Sequence, residues 1–136
     1  TATSPDAQGP TLAMKAALKK AGVDADKISY VNAHGTATPN NDESESTAMV
    51  NVFGEKVPPF SSTKFWTGHT LGACGVLELA LSAEMLKRQQ ILPTRNFEKV
   101  ERLIPVCKME KAELEYIMTN SFGFGGGATS IIIKRV

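Results

Sequence analysis

Near the end of the chain, Tyr116-Ile117-Met118-Thr119-Asn120-Ser121 leads through Phe122-Gly123-Phe124-Gly125-Gly126-Gly127-Ala128 into Ser130-Ile131-Ile132-Ile133-Lys134. β-Branched and aromatic residues read as strands, and the glycines between them as a turn. The segment is therefore expected to form strand, glycine turn, strand, with both strands largely buried. Gly123 to Ala128 also matches G-x-G-x-x-A, but that dinucleotide fingerprint needs a helix directly after the glycines. Here a strand follows, which argues against dinucleotide binding. The glycines instead allow close backbone approach or positive φ, as the wall of a tight site requires.

Helices and strands alternate upstream of this unit. Pro10 suits the first turn of a helix over Leu12 to Ala21, and Gly22 stops it. Ile28 to Val31 reads as a strand that runs into Asn32-Ala33-His34-Gly35-Thr36-Ala37-Thr38-Pro39. Asn41 or Asp42 is expected to cap the next helix, with Glu43 and Glu45 favourable to its dipole, and Gly54 ends it after Phe53. Val57 to Phe60 is a proline-containing connector to a short strand near Ser61 to Lys64. A long helix is expected from Leu71 to Gln89, where Val76, Leu77, Leu79, Ala80 and Leu81 predict burial on most sides. The class is α/β, and 136 residues make one domain, 1–136.

The only two histidines lie in unusually dense polar motifs: His34 as above, and His69 in Ser62-Thr63-Lys64-Phe65-Trp66-Thr67-Gly68-His69. Imidazole is the side chain most readily poised for proton or hydrogen-bond work near neutral pH, so the pair indicates a catalytic site. Thr36 and Thr38 offer hydroxyls to a polar ligand arm as well as to a turn or cap. Lys64 sits among Ser, Thr and aromatic neighbours, which implies partial burial and a carboxylate partner. Glu78, set in a mostly apolar helix, is the expected one.

Other chemistries have poor support. Cys74 and Cys107 form neither a CxxC pair nor a disulfide framework, and with the histidines they lack structural zinc spacing. Five residues along a helix separate side chains by about 140°, so Cys74 diverges from His69. Gly72-Ala73-Cys74-Gly75 instead reads as tight helix packing. A net charge of +1, without a basic aromatic-interleaved cluster, argues against nucleic acid. No apolar run reaches membrane-spanning length, and a reducing cytoplasm is the expected compartment.

Three ordered blocks resemble the β-ketoacyl-acyl carrier protein synthases of the thiolase superfamily, most closely the elongating type II enzymes. They are Asn32-Ala33-His34-Gly35-Thr36 with Thr38, then Ser62-Thr63-Lys64 through His69 to Glu78, then Asn120-Ser121-Phe122-Gly123-Phe124-Gly125-Gly126. The resemblance implies a thiolase-like βαβαββ C-terminal half in three α/β/α layers, lacking its first strand. It also implies a decarboxylative Claisen condensation of an acyl thioester with malonyl-carrier protein. His34 and His69 would assist decarboxylation and bind the enolate oxygen, while Lys64, supported by Glu78, would hold His69. Thr36 and Thr38 would contact the phosphopantetheine arm of the acyl carrier protein. Phe124 beside Gly125 would gate the acyl pocket. A monovalent cation is implied near Asn32, Glu78 and Asn120, and no tightly bound cofactor.

The family's nucleophilic cysteine lies in an N-terminal half that this sequence does not contain, so the isolated chain is expected to be inactive. The N-terminal half of the same enzyme, and a second copy in a homodimer, are the implied partners. A non-catalytic partner of the chain-length-factor type is the alternative, although retention of both histidines and Lys64 favours the enzyme. A related thiolase-fold acyltransferase fits the histidine pattern less well. Departures from the family pattern include Cys74 where Ala is usual, Phe65-Trp66 beside Lys64, and Gly127-Ala128 after the glycines.

Overall fold

The computed structural model describes residues 6–97 and 102–136. Its elements are α1 (Gln8–Ala21), β1 (Ile28–Asn32), α2 (Pro39–Phe53), β2 (Phe60–Ser61), α3 (Lys64–Thr67), α4 (Cys74–Arg88), β3 (Gln90–Ile91), β4 (Glu110–Lys111), β5 (Tyr116–Phe122) and β6 (Ala128–Lys134). The main sheet has the order β2-β1-β5-β6, and β3 and β4 form a separate two-stranded ribbon. β1 runs parallel to both β2 and β5, whereas β6 returns antiparallel to β5 through the glycine turn.

Alternation along the two central strands builds three layers. Val31 and Met118 are paired in register and point to one face, where they meet Met14 of α1 and Ala48 and Met49 of α2. Their neighbours Tyr30 and Ile117 point to the other face and pack with Met85 and Leu86 of α4. Burial on both faces explains why these strands lack a polar stripe. A register irregularity between Ile28 and Tyr30 places Ile28 in the same cluster as Val31. The layers and mixed sheet are those of the expected α/β/α half. Between β2 and β5 the chain adds α4, so the principal order is α-β-α-β-α-β-β.

Several local expectations change. Thr38, not Asn41 or Asp42, caps α2: its hydroxyl accepts the Asn41 N–H at 3.4 Å, with Pro39 entering the first turn. Lys64 opens the short helix α3 rather than ending a strand, because β2 stops at Ser61. β6 is the outer strand of the sheet and only half-buried, with Thr129, Ile131 and Lys134 exposed. α4 is not buried on most sides. Its inward face carries Cys74, Glu78, Ser82, Met85 and Leu86, while Val76 is 72% exposed. Its first half thus buries polar groups and displays apolar ones, the inverse of an ordinary surface helix.

Candidate active site

The parallel strands deliver the polar motifs to one end of the sheet. His34 follows the carboxyl end of β1, Lys64 follows that of β2, and Phe122 closes β5. In open α/β sheets this is the end where ligands bind, since chain turns leave the strands there and free their side chains from the ladder. The Ala33 N–H extends the pairing of β1 with β2 by donating to the Ser61 carbonyl at 2.9 Å, which fixes the approach to His34.

The turn after His34 is clamped by a residue the sequence reading assigned only to helix-dipole compensation. Glu45, 3% exposed, accepts the His34 N–H at 2.8 Å on Oε1 and the Gly35 N–H at 3.0 Å on Oε2. Asn41 donates to the same Oε2 at 3.2 Å. Burial pushes the Glu45 carboxyl above its ordinary range, while these donors pull it back. Gly35 has φ +48°, and a Cβ there would stand 2.6 Å from Ser62 Oγ, so glycine is required for both conformation and space. The Ser62 hydroxyl also donates to the Gly35 carbonyl at 3.1 Å and joins the two motifs.

Around this turn the four expected polar residues converge. The His34 and His69 rings meet edge to face with centroids 5.5 Å apart, and Phe122 packs against His34 at 5.8 Å. Lys64 is buried and forms an ion pair with Glu78 Oε1. Its ammonium also stands 3.3 Å from His34 Nδ1. Lys64 thus contacts His34, where the sequence reading expected it to hold His69. The reason is topological: His34 and Lys64 follow adjacent parallel strands, while Gly68 turns the chain before His69.

These contacts fix the tautomers. An ammonium can only donate, so His34 Nδ1 accepts and Nε2 carries the proton. His69 Nδ1 accepts the Leu71 N–H at 3.2 Å, which likewise leaves the proton on Nε2. Burial, the Lys64 charge and His69 depress the His34 pKa to about 4, so this ring is neutral near pH 7. Glu78 is pushed up by burial, and the Lys64 ammonium opposes that push.

The remaining residues lie around this cluster. The Thr36 and Thr38 hydroxyls are 3.2 Å apart at the start of α2. Phe124 is 87% exposed on the glycine turn, where Gly125 has φ +80°. Asn32 donates to the Glu78 carbonyl at 3.2 Å and to Ser82 Oγ at 3.0 Å, and Ser130 donates to Asn120 Oδ1 at 2.8 Å. Among the described residues, Asn32 Oδ1 and Glu78 Oε2 are buried without a hydrogen-bond partner, and so is Asn120 Nδ2. The first two are oxygen ligands of the kind a hard cation takes. Asn120 in this amide orientation offers nitrogen. Cys74 is buried beside His34 and Glu78 rather than merely packed between helices. Spacing along one helix gave no sign of that contact, because His34 comes from another element.

Comparison with known proteins agrees with this construction. Residues 1–98 match the family described as beta-ketoacyl synthase, C-terminal domain. The 3-oxoacyl-[acyl-carrier-protein] synthase 2 of Vibrio cholerae is 42% identical over 144 residues, covering 100% of this chain and 35% of that protein. A beta-ketoacyl synthase from Burkholderia phymatum superposes with a TM-score of 0.86 at 43% identity, over 100% of this chain and 34% of its own. A ketosynthase in complex with its chain length factor from Xenorhabdus doucetiae gives 0.85 at 38%, over 100% and 35%. The fold is that of the thiolase-like ketosynthases. The chain belongs to the β-ketoacyl synthase family, and its sequence corresponds to the C-terminal domain. It spans about a third of the length of the curated relatives it matches. Among the described residues no helix is long and apolar enough to cross a membrane.

Proposed function

We propose that the chain supplies the decarboxylating, enolate-stabilising half of a β-ketoacyl-acyl carrier protein synthase. The observation that carries this reading is the pair of neighbouring imidazoles, each with Nδ1 occupied and Nε2 left as a donor. Loss of CO2 from a malonyl thioester breaks a carbon–carbon bond and leaves its electron pair on the thioester as an enolate. Two imidazole N–H donors at that oxygen would stabilise charge that appears only as the bond breaks. The carbanion then attacks an acyl thioester and expels the thiolate of a cysteine that lies outside this chain.

Lys64 and Glu78 act as positioning residues, holding His34 in the Nε2–H tautomer. Thr36 and Thr38 face the phosphopantetheine arm of an acyl carrier protein, and Phe124 on its glycine turn gates the acyl pocket. Asn32 Oδ1 and Glu78 Oε2 would hold a monovalent cation, whose charge would stiffen this network. On this reading 1–136 is one domain that works with the N-terminal half of its own protein, in a cytoplasmic homodimer with no tightly bound cofactor. A chain-length-factor role has less support, because that role does not call for two donor imidazoles.

Decarboxylation of malonyl-carrier protein by the intact protein tests the proposal without requiring condensation. His34→Ala and His69→Ala are each expected to reduce it by about 100-fold or more, the usual cost of one such donor. A wild-type rate in both variants would overturn the reading.

A further inference from the structure

The buried cluster of His34, Cys74 and Glu78 has a use outside this mechanism. One ring nitrogen of His34, Cys74 Sγ and one carboxylate oxygen of Glu78 all lie within 4.8 Å of one another. The three residues are 4%, 5% and 1% exposed. Two further observations point to a ligand. Lys64 occupies only Glu78 Oε1, and the buried Oε2 has no partner among the described residues. Among the described residues the Cys74 thiol makes one polar contact, the long one of 3.6 Å to Ser121 Oγ.

We propose that these three residues form a binding site for a thiophilic divalent cation of the zinc class. A nitrogen, sulfur and carboxylate donor set selects such ions over calcium or magnesium, and three protein ligands leave a fourth position open. Bonds of about 2.0–2.3 Å place tetrahedral ligands roughly 3.3–3.8 Å apart, so side-chain movements of about an ångström suffice for closure. The thiol loses its proton on binding. The thiolate and the Glu78 carboxylate supply two negative charges to the ion, and the Lys64 ammonium paired with Glu78 leaves the cluster with one net positive charge. Because the ion uses Glu78 Oε2, it competes with the monovalent cation proposed above. An ion held there also takes a ring nitrogen of His34 out of the hydrogen-bond network of the site, while Glu78 Oε1 keeps its pairing with Lys64.

Cobalt(II) and zinc titrations of the intact protein test this assignment. One equivalent of cobalt is expected to produce thiolate-to-metal absorption in the near ultraviolet, and zinc to displace it. Cys74→Ala should abolish that absorption, and Cys74→Ser, which keeps a hydroxyl near Ser121, should weaken binding at least tenfold. Cys107→Ser, at an exposed thiol outside the cluster, should leave binding unchanged. Absence of the band in the wild type, or its survival in folded Cys74 variants, would overturn the proposal. Inhibition of malonyl decarboxylation by zinc is a second readout that rests on the proposed function. Binding without inhibition would therefore count against that function and leave the metal site standing.

Discussion

Lys64 Nζ stands 3.3 Å from His34 Nδ1 while paired with the Glu78 carboxylate, so one ammonium couples a helix carboxylate to a histidine at a strand end. The pair is nearly dry, with side-chain exposures of 7% and 2%. In that setting each partner depends on the other far more than a surface pair would.

Removing one partner should therefore cost more than removing both. Lys64→Met is expected to destabilise the protein by about 3–5 kcal/mol, because it strands a buried carboxylate. The double variant Lys64→Met/Glu78→Leu should recover part of that loss. Urea denaturation of the intact protein, read as a double-mutant cycle, measures the coupling.

Glu45→Ala should loosen the turn that carries His34. Two backbone N–H groups and the Asn41 amide lose their acceptor, each left with an unmet bond worth about 1–3 kcal/mol when buried. Hydrogen exchange at the His34 and Gly35 amides should accelerate more than exchange in β5. Equal acceleration throughout would mean that Glu45 supports the whole fold and not the turn.

Gly35→Ala should be severely destabilising, since it adds a Cβ at φ +48° against Ser62. A cost of about 2–3 kcal/mol is expected from overpacking and backbone strain together. Adding Ser62→Gly relieves the contact but not the backbone strain, so the double variant should recover only part of the loss in thermal unfolding.

His34 should remain neutral through the physiological range. Its pKa is about 4 in the folded protein against an ordinary 6.5, so the unfolded state binds more protons between those values. The His34 contribution to stability is therefore complete above about 6.5 and declines as pH falls towards 4. The loss below that window is at most about 3.5 kcal/mol for this group. Imidazole NMR titration with a chelator present should give a midpoint near 4 for His34, and replacement of Lys64 by Met should raise it.

Much of this organisation was legible in the chain. Ile28 to Val31 and Tyr116 to Ser121 announced the two central strands because burial on both faces leaves apolar runs. His34, His69, Lys64 and Glu78 announced a site because charged and imidazole groups are rare among such neighbours. The Lys64–Glu78 pair was legible too, because a buried ammonium needs a carboxylate, but other contacts across elements were not. In sequence, Glu45 is indistinguishable from a solvated carboxylate in the early turns of a helix, and only folding shows the two amides it accepts. The polarity of α4 was misread because apolar residues were assigned inward by default. The family resemblance implies that Lys64 holds His69, whereas parallel pairing of β1 and β2 brings it to His34.

That pairing also governs when the site can exist. The central ladder joins Ile28 to Tyr116 and Asn32 to Thr119, so it closes a loop that contains α2, β2 and α4. Such closures are slow, because chain entropy is lost before the contacts that reward it form. Helices can form early and locally, but the strand end that presents His34 takes its place only after a distant partner arrives. A chain with its helices formed but this ladder still open would accordingly have no assembled His34–His69 pair.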